Sequence, residues 1–282
     1  MPSHHVFTLT AGRTGTRWLA EMLGASLPDC TAHHEILGYD RFGHDAPDLS
    51  TLTLFNSQGC CEEVRGFWER KSARIRQCPT PWYVETSHQL MKAGLVEHLE
   101  LLGAGHVHLI LLTRDMTETV LSYSQRGDFN NVGNQWLWYL DPDYPQNILD
   151  PAPFKQHGVL GVRAWYWLEI TARQGYYAEM LGDREGVTLH RCDLADVRTE
   201  AGARSLLSAL GADPDRLQLP PPSNTTPDAR RLAAPQREVV ARLCAAFTGD
   251  PGGLGAEFFR RGHRLGAPRA TAPSGPDARE KS

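Results

Sequence analysis

Long apolar runs are missing from this chain. No stretch reaches the roughly 18 apolar residues that a membrane-crossing helix needs. The nearest, "HVHLILLT" (106–113), has the length of a buried strand. A basic excess is missing too. The net charge is -4, so the composition carries no global footprint for nucleic acid or an anionic membrane, and any anion site must be local. The six cysteines (30, 60, 61, 78, 192, 244) show no CxxC spacing, and the adjacent pair Cys60 and Cys61 is too close for a compact mutual disulfide. They read as reduced thiols in a cytoplasmic protein. The twelve histidines fall in no HExxH or other metal-ligand spacing, so no metal is expected. The start lacks a basic segment followed by an apolar one, so no signal peptide is expected. There is no internal repeat.

What is present is 41% hydrophobic and 22% charged residues over 282 positions, ordinary for a globular α/β chain. Short apolar segments alternate with helical spacing. Val6–Thr10, "PWYVETS", "HVHLILLT" and "GVTLHR" read as strands. Thr16–Leu23, Gln89–Leu102, Asp115–Arg126, Val162–Leu181, Thr199–Leu210 and a segment from Pro235 to Phe247 read as helices, with Asp115 placed as a cap. This alternation predicts a parallel sheet with helices on both faces. Residues 38–80 read as an irregular insertion or cap. Residues 1–266 read as one α/β domain, and 267–282 as a disordered tail.

The stretch "TLTAGRTGTRWLAEML" (8–23) sits between the first strand and the first helix. In a parallel sheet that is where ligands bind. Gly12 and Gly15 let backbone N–H groups face outward, Thr14 and Thr16 bring hydroxyls, Arg13 brings a fixed cationic fork, and the helix start adds partial positive charge. The sum is a cradle for phosphate or sulfate. It differs from GxxxxGK[ST], because Gly15 is followed by Thr16 and Arg17 and the glycines are closer together. A loop without the magnesium-holding element suits a sulfuryl donor better than ATP.

"TAGRTGTRWL" resembles the 5′-phosphosulfate loop of sulfotransferases that use 3′-phosphoadenosine 5′-phosphosulfate. The likeness implies that Arg13, Thr14, Gly15, Thr16 and Arg17 hold the phosphosulfate and that Trp18 stacks on adenine. "LLTRDMTETVLSYSQRG" (111–127) resembles the family's 3′-phosphate segment through Arg114, Asp115, Val120, Ser122 and Tyr123, with Met116 where proline is usual. "VTLHRCDLAD" and "AWYWLEI" are looser likenesses. "FFRRGHRLG" (258–266) is similar to the late basic box, which would add Arg260, Arg261 and Gly262 to the 3′-phosphate site. The resemblance spans about Val6 to Gly266 and implies a P-loop-like sulfotransferase architecture.

The implied reaction moves a sulfuryl group to a hydroxyl or amine of a small-molecule acceptor and leaves 3′,5′-adenosine bisphosphate. Transfer is in line, Arg13 stabilises the charge, and a base takes the acceptor proton. By likeness to relatives, Glu35 of "CTAHHEILGYD" is the first candidate base, with His34 beside it; His88 of "YVETSHQL" competes, and His33 and Glu85 are secondary. Trp136, Trp138, Tyr139 and Tyr144, with residues 38–80, are candidates to line an aromatic or lipophilic acceptor pocket. Two other readings stay open: a P-loop-like nucleotide kinase, and a non-catalytic protein that binds adenosine bisphosphate.

Overall fold

A computed structural model describes residues 2–35, 49–129, 138–182, 184–221, 232–247 and 249–267. In chain order, β1 (His4–Leu9), α1 (Thr16–Ser26) and β2 (Cys30–His34) come first. Then follow α2 (Leu49–Gln58), α3 (Glu62–Arg76) and β3 (Trp82–Thr86). Two 3₁₀ stretches, Leu90–Ala93 and Val96–Leu102, lead to β4 (His106–Thr113) and α4 (Met116–Arg126). The last elements are α5 (Gly158–Leu181), β5 (Val187–Asp193), α6 (Glu200–Ala209), α7 (Ala234–Ala246) and α8 (Pro251–Arg260).

The five strands form one wholly parallel sheet in the order β2-β3-β1-β4-β5. β4 is apolar along nearly its whole length because both of its faces are covered. Leu109 and Leu111 pack with the α2–α3 and α5 side, while Ile110 and Leu112 pack with Leu19, Leu23, Leu206 and Leu207 of α1 and α6. From β1 the chain runs out to β2 at the edge, returns to β3 between the two, then crosses to β4 on the other side of β1. The connections after β1 and β4 therefore diverge, and a crevice opens at the carboxyl ends of these neighbouring strands.

Several expectations need correction. Within the segment 38–80, residues 49–58 and 62–76 are helical, and Leu52, Phe55, Val64, Phe67, Trp68 and Ile75 are core residues. Burial of such side chains contributes roughly 1.5–3 kcal/mol each, which overrides the weak helix preference of a Thr- and Ser-rich segment. Residues 38–48 of that segment lie outside the described residues, as do positions 268–282 of the expected tail. The helix expected over Gln89–Leu102 is two 3₁₀ pieces broken at Gly94, whose φ of 88° ends the first; a Cβ there would lie 2.9 Å from the Phe55 ring. β2 and α8 were not expected. β2 is a polar edge strand, and α8 contains the sequence "PGGLGAEFFR". Its glycines allow close helix packing, since a Cβ on Gly255 would fall 1.7 Å from the Ala172 carbonyl oxygen of α5.

Candidate active site

The loop between β1 and α1 is held in a conformation most residues avoid. Gly12, Arg13 and Gly15 have φ of 79°, 57° and 79°. For Arg13 this left-handed backbone costs on the order of 1–3 kcal/mol unless its surroundings impose it. They do so from three directions. The Arg13 Nε donates to Ser122 Oγ at 3.0 Å, and the Arg13 carbonyl accepts from Arg114 Nη1 at 2.9 Å. The Tyr123 hydroxyl donates to the Ala11 carbonyl at 2.7 Å. Two segments a hundred residues apart in sequence are thus one constellation, carried by the neighbouring strands β1 and β4. Asp115 caps α4 as expected, accepting from the Glu118 N–H at 2.8 Å.

Around this loop lies a cleft of about 1430 Å³. Every strand of the sheet contributes to its walls at the carboxyl edge: His34 and Glu35 after β2, His88 after β3, the loop from Gly12 to Trp18 after β1, Arg114 and Ser122 after β4, and Leu194 after β5. Trp138 and Tyr139 also line it. The glycines leave room that side chains would fill. A Cβ on Gly12 would sit 3.0 Å from the His88 ring, and one on Gly15 would be 2.4 Å from Leu194.

The charge in the cleft is mixed but rich in guanidinium. Burial lowers the pKa of Arg13, and Arg126 adds to this, while Asp128 opposes it. Burial also raises Asp128, against the pull of Arg126 and Arg13. On the β2–β3 side, Glu35 has φ of 41° and lies between two imidazoles. Its Oε1 is 3.4 Å from His88 Nε2 and its Oε2 is 3.8 Å from His34 Nε2. The other nitrogen of His34 meets the Thr86 carbonyl at 2.9 Å, which makes Nδ1 the protonated atom and leaves Nε2 toward Glu35 when the ring is neutral. His88 is buried; desolvation first and then the charge of Lys92 hold it well below the ordinary histidine range.

Not every expected residue reaches the cleft. The hydroxyl of Thr14 is turned inward, 2.6 Å from Thr10 Oγ1, so it is a strut of the loop and not an outward donor. Thr16, Arg17 and Trp18 do line the cleft. Arg17 pairs with Glu21, and Trp18 packs in the core with its Nε1 donating to the Pro220 carbonyl. Arg260, Arg261 and Gly262 are elsewhere. Arg260 pairs with Glu257 and with Glu179 in the last turn of α5, and Arg261 pairs with Glu257. α5 passes Arg114 at Trp167 and ends where the chain turns into β5, so this basic group lies at the opposite edge of the sheet. Glu85 is fully buried, bonded to Lys71 and the Tyr83 hydroxyl, and His33 packs at a tilt against Tyr83 on the same side of the sheet; neither lines the cleft. Tyr144 bonds Thr53 of α2, away from the cleft. Trp136 lies outside the described residues.

The structure also adds residues that the sequence did not single out. Arg126, Asp128, Arg198 and Arg237 line the cleft, the last from α7, with its guanidinium 3.9 Å from the same Glu118 that Arg114 approaches. Nothing in their sequence context marks them, because only the tertiary fold brings α7 beside α4. Lys92 is buried beneath His88; its spacing of four residues from His88 was visible but not distinctive.

No family model matches the chain, and no curated protein matches its sequence. Among solved structures, the chain is similar to a sulfotransferase from Alicyclobacillus acidocaldarius at 14% identity and a TM-score of 0.44, over 93% of this chain and 96% of that one. It is also similar to the sulfotransferase domain from the curacin biosynthetic pathway, at 13% identity and a TM-score of 0.46, over 94% of each chain. Neither likeness bears on the chemistry of the cleft, which rests on its own residues.

Proposed function

We propose that this chain is a sulfotransferase that uses 3′-phosphoadenosine 5′-phosphosulfate and a small-molecule acceptor bearing a hydroxyl or amine. The observation that carries this reading is the joining of the two anion-binding segments through Arg13, Ser122 and Arg114. A phosphosulfate fits the cradle that the positive-φ glycines leave open at the start of α1, and Arg114 with Ser122 lies beside it for a second phosphate. Arg237 and Arg198 replace the expected 260–262 group as the further cations of that wall. Trp18, Leu194 and Ala195 offer the apolar surface for a base.

When bound, the donor supplies the sulfuryl group; the chain's own residues position it and manage charge and protons. Arg13, already oriented by Ser122, faces the charge that builds on the departing phosphate oxygen. Glu35 accepts the acceptor's proton on its carboxylate, with His88 against one of its oxygens and His34 near the other. Trp138 and Tyr139 line the acceptor's approach.

The test is transfer of labelled sulfate from the donor across an acceptor panel, beside calorimetry with 3′,5′-adenosine bisphosphate and with ATP, each with and without magnesium. Tight adenosine bisphosphate binding independent of magnesium, together with transfer, is expected. Tighter, magnesium-dependent ATP binding would replace this reading with a nucleotide kinase. Adenosine bisphosphate binding without transfer to any acceptor would leave a binding protein.

A further inference from the structure

His88 and Glu35 both line the cleft, and a third residue lies below them. Lys92 lies in the 3₁₀ stretch Leu90–Ala93, where its side chain is completely buried. Its Nζ has three polar neighbours: His88 Nδ1 at 2.9 Å, the Trp138 carbonyl at 2.6 Å and the Tyr166 hydroxyl at 2.7 Å. The Tyr139 and Tyr166 rings pack against it, with centroids 5.3 and 5.1 Å from Nζ. On the far side of the imidazole, His88 Nε2 faces the Glu35 carboxylate at 3.4 Å, and Tyr139 stacks on the ring.

We propose that Lys92 is a positioning residue that fixes His88 as the neutral Nε2–H tautomer, so that Glu35 alone receives the acceptor's proton, and that it ties this pair to the acceptor wall at Trp138. The donors and acceptors around His88 favour this arrangement. An ionised carboxylate only accepts, so the nitrogen of His88 that faces it carries the proton. The nitrogen facing Lys92 is then an acceptor, and Nζ–H donates to it. An ammonium has three protons for its three neighbours. A neutral amine makes the same bond, with its lone pair taking the Tyr166 proton.

Other charges around the pair act in the same direction. Burial, Lys92, His34, Arg126 and Arg13 all disfavour a charged His88. Lys92 itself is held down by burial, with Glu35 opposing and Arg173 adding to it. A histidine kept neutral, with its basic nitrogen already occupied, is a poor base. It is a good donor to the carboxylate that does the work.

This inference rests on the sulfotransferase reading for its kinetic arm only. The structural arm is nitrogen-15 NMR of histidine-labelled full-length protein, with His88 assigned by its loss in His88→Asn. The expected result is a proton on Nε2 and none on Nδ1, persisting well below pH 6.5, the ordinary histidine value. Lys92→Met removes the donor. It should release the tautomer and lower kcat by about 10²-fold, the scale of a misplaced catalytic group, with the KM for the sulfuryl donor within about threefold of wild type. Lys92→Gln keeps an N–H and should restore part of both. A wild-type His88 that is Nδ1-protonated or charged overturns the proposal, as does a Lys92→Met protein with unchanged tautomer and turnover. If Lys92→Met does not fold, the wild-type spectrum and Lys92→Gln decide. An Nε2–H tautomer in a protein that transfers no sulfate would instead overturn the functional reading and leave only the tautomer assignment standing.

Discussion

Arg13 illustrates how a single residue is made to serve a site. Its backbone is strained, its carbonyl is taken by Arg114, and its guanidinium is aimed by Ser122 before any ligand arrives. Such orientation in advance removes reorganisation from the reaction. Arg114 braces Arg13, and in the proposed function it also offers charge to a second phosphate. Arg114→Ala should therefore weaken 3′,5′-adenosine bisphosphate binding by about 1.5–3 kcal/mol, the value of a charge-assisted hydrogen bond. Calorimetry with a ligand lacking the 3′-phosphate should show a much smaller loss; equal losses would confine Arg114 to bracing the loop. Glu35 is set between two imidazoles with a positive φ that aims it into the cleft. Glu35→Gln keeps the shape and removes the basicity. Turnover should fall by roughly 10²–10⁴-fold, as for loss of a general base, with adenosine bisphosphate affinity unchanged. Turnover near wild type in Glu35→Gln, beside loss of turnover in His88→Asn, would move the role to the histidine.

Elements show a different balance between what local sequence dictates and what packing decides. The strands that read clearly, β1, β3, β4 and β5, carry apolar or β-branched runs, because a parallel strand needs cover on both faces. β2 does not read as a strand, since "CTAHH" is partly exposed along its length and is held by β3 on one side and by α1, where Gly24 meets Ala32, on the other. The meeting of the β1–α1 loop with Arg114 and Ser122 was legible because both segments follow neighbouring strands at the carboxyl edge of the sheet. Thr14 and the 260–262 group were misleading because residue type does not reveal direction: the Thr14 hydroxyl points into the core, and α8 carries the arginines to the other edge of the sheet. α8 itself was hidden by glycines that look like a loop. In the fold they are what lets α8 approach α5, where Gly175 and Gly255 leave no room for a Cβ. Gly255→Ala should lower stability by about 1–3 kcal/mol through overpacking, seen as a lower denaturation midpoint. Arg261→Ala, on the same helix, should leave adenosine bisphosphate affinity unchanged in titration. A clear loss of affinity would return that group to the binding site.

Across the whole molecule, acid sensitivity should come from the edge of the sheet opposite the cleft. His4, His108 and His190, from β1, β4 and β5, form a row, with His4 Nδ1 3.2 Å from His108 Nε2 and His108 Nδ1 3.0 Å from His190 Nε2. Each contact needs one unprotonated nitrogen, so adding protons sets like charges against each other at hydrogen-bond distance. Burial, then neighbouring histidines, lowers His108 to about 3, and burial, then His4, lowers His5 to about 4. His4 and His190 are lowered as well, chiefly by burial. These are bases whose folded pKa lies below the unfolded value of about 6.5. Between those values the unfolded chain binds protons that the native sheet refuses, so stability rises with pH in that interval. The contribution is complete above pH 6.5 and is lost as pH falls through 6 toward the range of 3–4. Urea denaturation at fixed temperature should therefore show a falling midpoint from pH 6.5 to 4.5, above the range where most carboxylates titrate. The slope should be shallower in His108→Asn, because that variant takes up to one proton out of the difference, whatever its absolute stability. A flat wild-type profile over that interval, or a slope unchanged in both His108→Asn and His5→Asn, would show that the histidine row does not set the acid limit of the fold.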